Sequence, residues 1–137
     1  MKRRVFLTAL PAFTLSAGFG YAAGETLDYT PGLVETALEN GETVLLEFSA
    51  VWCSTCARQK RVIGELRSTD PSYNRITFVR VDWDRYGRSD IARMLNVPRR
   101  STLVLRKGDE ELGRIVSGTS RTKIKELMDK GLSVTSS

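Results

Sequence analysis

The chain has 137 residues, 41% of them hydrophobic, which is enough for one domain with a real core and too apolar for a disordered chain. Its formal charge is +5, but Lys2, Arg3 and Arg4 account for three of those charges, and the +2 that remains, with no aromatic-interleaved basic stripe, argues against nucleic-acid binding. Histidine is absent, which excludes Ser-His-Asp and Cys-His catalysis and His-ligated metals, and two cysteines cannot complete a four-ligand zinc site within one chain.

Residues 1–22 are expected to form an export signal. Lys2-Arg3-Arg4 is its charged start, Val5 to Phe19 is mostly apolar, and Gly20-Tyr21-Ala22 presents small residues for cleavage after Ala22. Arg3-Arg4-Val5-Phe6-Leu7 resembles a twin-arginine signal; an ordinary secretory signal is the alternative. An uncleaved membrane anchor is a further alternative, against which Pro11, Gly18 and Gly20 count. No cysteine follows the apolar run, so a lipoprotein is not expected. The domain spans residues 23–132, and residues 133–137 read as a polar tail.

Within the domain, Thr30-Pro31-Gly32 predicts a helix start, with Thr30 as cap and Pro31 in the first position, and Gly41 closes that helix. Thr43 to Ser49 predicts a strand apolar enough to be central. Cys53 to about Ser68 predicts a helix with Val62, Ile63 and Leu66 inward, followed by a loop at Thr69-Asp70-Pro71-Ser72. Ile76 to Asp82 alternates as a strand does, and Ser89 to Leu95 predicts a short helix capped by Ser89. Thr102–Arg106 and Glu111–Val116 predict a hairpin around Lys107-Gly108-Asp109. Ser120 to Leu132 predicts an amphipathic helix with Ile124, Leu127 and Met128 inward and Gly131 at its frayed end.

The chemistry concentrates in Val44 to Cys56. An apolar strand carrying one carboxylate, Glu47, runs into Trp52-Cys53-Ser54-Thr55-Cys56, and a helix follows. A thiol at the first turn of a helix faces unpaired N–H groups and the positive end of the dipole, which favour the thiolate, the nucleophile of disulfide exchange. Such a pair fits redox exchange, a static local disulfide, or a metal or cluster shared between chains. A static bridge closing so small a loop would stabilise little.

This stretch resembles the thioredoxin family, and the resemblance continues from about Thr26 to Leu132. Thr102-Leu103-Val104-Leu105-Arg106-Lys107-Gly108-Asp109 is similar to the family's strand-and-turn segment, and Gly118 with the helix Ser120 to Leu132 to its closing element. Glu47 stands where the family usually has Asp, Ser54-Thr55 where it has Gly-Pro, and Arg61 where it has a helix-kinking proline. The resemblance implies an α/β fold with a mixed central sheet flanked by helices. It implies Cys53 as attacking thiolate, Cys56 as resolving thiol and Glu47 as the acid that relays protons to Cys56, with Arg80 as a candidate partner for that acid. Trp52, Ser54, Thr55, Arg100 and Ser101 are expected to face the substrate.

Ser101 is the main departure, because it occupies the position of the family's cis-proline. A cis bond before serine is costly, so a trans bond or an altered loop is expected there. Its hydroxyl could touch the thiolate. Arg58, Lys60, Arg61, Arg67, Arg99 and Arg100 read as a solvated basic face or a surface for an acidic partner.

The expected function is thiol–disulfide exchange in the periplasm, reducing protein disulfides at the expense of a dithiol electron donor. No cofactor and no metal are expected, the membrane is met only through an uncleaved signal segment, and the chain is expected to be a monomer. The histidine that marks strongly oxidising pairs in related proteins is absent, which favours a reductase over a disulfide donor. A partner-binding module with incidental thiols and an iron–sulfur-bridged dimer are the other readings.

Overall fold

The computed structural model describes residues 24–135, so the export-signal expectation lies outside the described residues. The elements run β1 (Thr26–Asp28), α1 (Leu33–Glu39), β2 (Thr43–Ser49), α2 (Ser54–Thr69), a 3₁₀ turn (Pro71–Arg75) and β3 (Thr77–Asp82). They continue with α3 (Trp83–Tyr86), α4 (Asp90–Met94), β4 (Thr102–Lys107), β5 (Glu110–Val116) and α5 (Arg121–Thr135). The strands form one mixed sheet in the order β1-β3-β2-β4-β5; β1, β3 and β2 are parallel, and β4 and β5 are antiparallel to their neighbours.

Strand alternation sorts the apolar side chains into two cores, one on each face of the sheet. Val44, Leu46 and Phe48 of β2 join Val79 and Val81 of β3 under α1 and α4, with Val34, Ile91 and Ala92. Leu45 and Phe78 lie on the opposite face under α2 and α5, with Ile63, Leu66, Ile124, Leu127 and Met128. By the same alternation Glu47 shares the second face, and the register sets it directly beside Arg80 of β3. The carboxylate is therefore placed beneath α2 by a period-two pattern legible in the strand itself.

Several local expectations are corrected. α1 starts at Leu33, not Pro31, because Thr30 to Gly32 is spent on a turn: the Leu33 N–H donates to the Thr30 carbonyl at 3.1 Å. Proline second and a glycine at φ +91° third are what a type II turn requires. The Thr30 side chain therefore caps nothing, whereas closure at Gly41 holds, with Gly41 and Glu42 N–H groups returning to Leu38 and Ala37. The Asp70 carboxylate accepts from the Ser72 N–H and starts a 3₁₀ turn within the expected loop. Ser89 precedes α4, but its hydroxyl donates to the Tyr86 carbonyl at 2.6 Å instead of capping.

α5 continues through Thr135, so Ser133 to Thr135 are helical, not a polar tail. Gly131 is buried inside α5, and a Cβ there would lie 3.0 Å from Ile76 Cδ1 and from Leu105 Cδ1. Its absence of a side chain lets the helix close onto the sheet. Gly131→Ala is expected to destabilise the protein by about 1 kcal/mol in urea unfolding, because overpacking outweighs the better helix propensity of alanine. α2 is one 16-residue helix through Arg61.

Candidate active site

β2 delivers the chain to the rim of the sheet, where Ala50 to Cys53 turns it: the Cys53 N–H donates to the Ala50 carbonyl at 3.1 Å. Cys53 is then the N-cap of α2, with extended backbone, and its Sγ accepts from the Cys56 N–H at 3.2 Å. A sulfur thus does what a serine or aspartate oxygen does at other helix starts, taking up an N–H that the helix leaves unpaired. The first turn of α2 contains no acid to offset the positive end of the dipole. Cys56 follows one turn later at disulfide-bonding distance, with the Cα atoms 5.3 Å apart.

Both cysteines are buried, Cys53 at 6% and Cys56 at 3% exposure. Ala50 and Trp83 pack against the pair. Val51 and Trp52 remain outside, at 99% and 58% exposure. Trp52 is fixed in place: its Nε1–H donates to both Asp84 carboxylate oxygens, at 3.1 and 2.9 Å, and the Arg100 guanidinium lies 4.4 Å from its ring centroid. That combines a charge-assisted hydrogen bond with a cation–π contact.

Ser101 meets the sulfurs directly. Its Oγ is 3.4 Å from Cys53 Sγ and 3.4 Å from Cys56 Sγ, and the residue is fully buried. Its peptide bond is trans, as expected, and its φ is +62°. The backbone is tied on both sides: the Ser101 N–H donates to the Phe48 carbonyl at 2.8 Å, and its carbonyl accepts from the Ser117 N–H at 2.8 Å. Gln59 of α2 adds a third tie, its Nε2 donating to the carbonyls of Ser101 and Gly118, each at 2.9 Å. The hydroxyl at the sulfurs is therefore that of Ser101; Ser54 and Thr55 instead border a shallow depression with Arg58, Ser117 and Thr119.

Glu47 is buried at 5% exposure, and its Oε1 lies 4.0 Å from Arg80 Nη2, an ion pair too long to be a hydrogen bond. Burial pushes its carboxyl above the ordinary carboxylate range, and the opposing fields of Arg80, Arg67 and Lys60 do not cancel this. A cleft of about 580 Å³ is bordered by Cys56, Lys60, Arg80, Asp82 and Tyr29.

The basic face is smaller than the sequence implied. Arg58, Lys60, Arg61 and Arg99 are exposed. Arg67 turns inward, its guanidinium 4.0 Å from the Phe78 ring centroid and bonded to Asn74 and Thr26. Two residues of the site had not been anticipated. Gln59 had a visible signal, a polar side chain on the inward spacing of Cys56, Ile63 and Leu66. Asp84 had none, since its partner Trp52 lies 32 residues away.

The Thioredoxin family model matches residues 28–130. Thioredoxin H5 of Oryza sativa subsp. japonica is 32% identical over 109 residues, 70% of this chain and 77% of that protein. Thioredoxin-2 of Saccharomyces cerevisiae is 30% identical over 93 residues, 67% of this chain and 84% of its own length. Among solved structures, Trxlp from Edwardsiella tarda EIB202 superposes with a TM-score of 0.66 at 24% identity, over 75% of this chain and 98% of that one. Schistosoma mansoni thioredoxin gives 0.62 at 27% identity, over 77% and 94%.

Proposed function

Since the chain belongs to the thioredoxin family and is a thiol–disulfide oxidoreductase, we propose that it works outside the cytoplasm, in the periplasm, reducing disulfides of partner proteins with electrons from a dithiol carrier. The observation that carries this reading is Cys53 as sulfur N-cap of α2, at disulfide-bonding distance from Cys56. In the reduced protein the Cys53 thiolate attacks one sulfur of the partner disulfide, forming a mixed disulfide and expelling the first partner thiolate. Cys56 then gives up its proton, attacks Cys53 Sγ and expels the second partner thiolate. The partner gains two electrons, one proton released by Cys56 and one from solvent, and the Cys53–Cys56 pair becomes the disulfide that the carrier reduces.

Glu47 is the proton acceptor for Cys56 in this scheme. Its burial, its raised pKa and its place on the sheet face beneath α2 support that role, since a carboxyl held above its usual range exchanges protons near neutrality. Trp52 and Arg100, with Ser54 and Thr55 on the other flank, form the surface against which the partner's disulfide segment lies; the exposure of Trp52 supports this. Export is supported by the charged start and apolar run of the leader, with cleavage after Ala22. Insulin reduction driven by a small dithiol tests the activity, and fractionation of cells making the full chain tests the location. Turnover lost in Cys53→Ser, and a shortened protein outside the cytoplasm, are the expected results. Thiol-independent partner binding without turnover would favour a binding module.

A further inference from the structure

We infer that the Ser101 hydroxyl is a catalytic hydrogen-bond donor that follows the negative charge from Cys53 to Cys56 during exchange; this rests on the exchange reading above. The Oγ atom is 3.4 Å from each sulfur. Neither sulfur carries a hydrogen in the disulfide, so the hydroxyl is the only donor in both contacts, with one proton for two acceptors. The main chain of Ser101 is tied to Phe48, Ser117 and Gln59. Rotation of the hydroxyl is therefore the motion left to redirect the proton.

The backbone sharpens the argument. A φ of +62° lies in the left-handed region, where glycine is at ease and residues with a Cβ are not. Serine is disfavoured there for conformation alone. What it supplies and glycine lacks is the hydroxyl, placed where charge appears.

The two sulfurs use this donor differently. As a thiolate, Cys53 is also served by the Cys56 N–H at 3.2 Å. When Cys56 loses its proton and attacks Cys53 Sγ, the S–S bond to the partner breaks, the partner's thiolate leaves, and the charge has passed through Cys56. Ser101 is the side-chain donor within reach of it at that moment. The charged groups that line the cleft with Cys56 are Asp28, Lys60, Arg80, Asp82 and Arg85; Arg58 borders the depression at Ser54, and Asp84 and Arg100 flank Trp52. All are kept in the variants below, so the comparison isolates the hydroxyl.

The test is Ser101→Gly, which removes the hydroxyl from a backbone that suits glycine, with Ser101→Ala beside it. The thiolate absorbance of the reduced proteins is titrated against pH, and insulin reduction is resolved into kcat and KM. The Cys53 pKa is expected to rise by about one unit, a tenfold loss of thiolate below the pKa, and kcat is expected to fall about tenfold with KM unchanged. The thermal midpoint of Ser101→Gly is expected not to fall. An unchanged thiolate titration and kcat, or a rise in KM alone, would overturn the inference and leave Ser101 as a wall of the groove. If the unsubstituted protein reduces no disulfide, the exchange reading fails, yet the titration still decides whether Ser101 stabilises the thiolate.

Discussion

Cys56→Ser protein, reduced and mixed with a disulfide-bearing partner, is expected to accumulate as a covalent mixed disulfide through Cys53. Cys53→Ser protein is expected to form none and to lose insulin reduction to the background rate. The asymmetry follows from where the sulfurs sit. Cys53 occupies the cap of α2, with the Cys56 N–H directed at it and the unopposed end of the helix dipole behind it. Cys56 lies one turn deeper, where it reaches Cys53 more readily than a partner. A serine hydroxyl at position 53 would cap the helix equally well, so Cys53→Ser should keep its fold while losing the nucleophile. Non-reducing electrophoresis followed by mass mapping of the trapped species checks both halves. Trapping through Cys56 instead would reverse the assignment of attacking and resolving thiols.

Glu47→Gln is expected to slow exchange and to gain stability relative to the unsubstituted protein as pH rises. Removing a general base of this kind lowers rates by about 10²-fold or more, and the loss should fall on the step in which Cys56 displaces the partner. The stability effect follows from linkage. Glu47 has a raised pKa in the folded state because it is buried. The folded protein therefore holds that proton more tightly than the unfolded chain does. The stability this contributes is complete below the ordinary carboxylate pKa and is lost as pH rises through the raised one. Glutamine has no such term. From pH 4 to pH 8 the stability of Glu47→Gln should improve relative to the unsubstituted protein by about 1.4 kcal/mol for each unit of pKa elevation. Urea titrations at both pH values measure it. A stability difference independent of pH would mean that Glu47 titrates normally and is no proton acceptor.

How much of this could be read beforehand depended on whether the signal was local. β2 was legible to the residue, because Thr43 to Ser49 is an apolar run of strand length, and the cysteines located the start of α2. Ile124, Leu127 and Met128 announced the buried face of α5 by their spacing. β1 was not legible: Thr26-Leu27-Asp28 is three residues long and is a strand because β3 pairs with it. α3 was missed for a related reason, being a single turn started by the Asp82 carboxylate accepting from the Asp84 N–H. Gly131 was misread because a glycine near a helix end commonly marks a stop, and only the packed Ile76 and Leu105 side chains reveal it as a close approach. In the site, Cys53, Cys56 and Glu47 stood out as residues and the family resemblance singled out Trp52 and Ser101; the structure sets Ser101 against both sulfurs and leaves Trp52 exposed. The pairing of Trp52 with Asp84 and the tie from Gln59 to Ser101 depend on how distant segments meet, and neither pairing follows from spacing alone.

The most direct test of the proposed direction of electron flow is the equilibrium reduction potential of the Cys53–Cys56 pair. It is read by equilibrating the protein in thiol–disulfide buffers of graded potential and alkylating the free thiols. The account predicts a reversible two-electron couple near about −270 mV, the value of a thioredoxin that reduces its partners. A value near about −120 mV, that of a strong disulfide donor, would contradict it and reverse the flow of electrons. The absence of any reversible couple would remove the exchange mechanism itself.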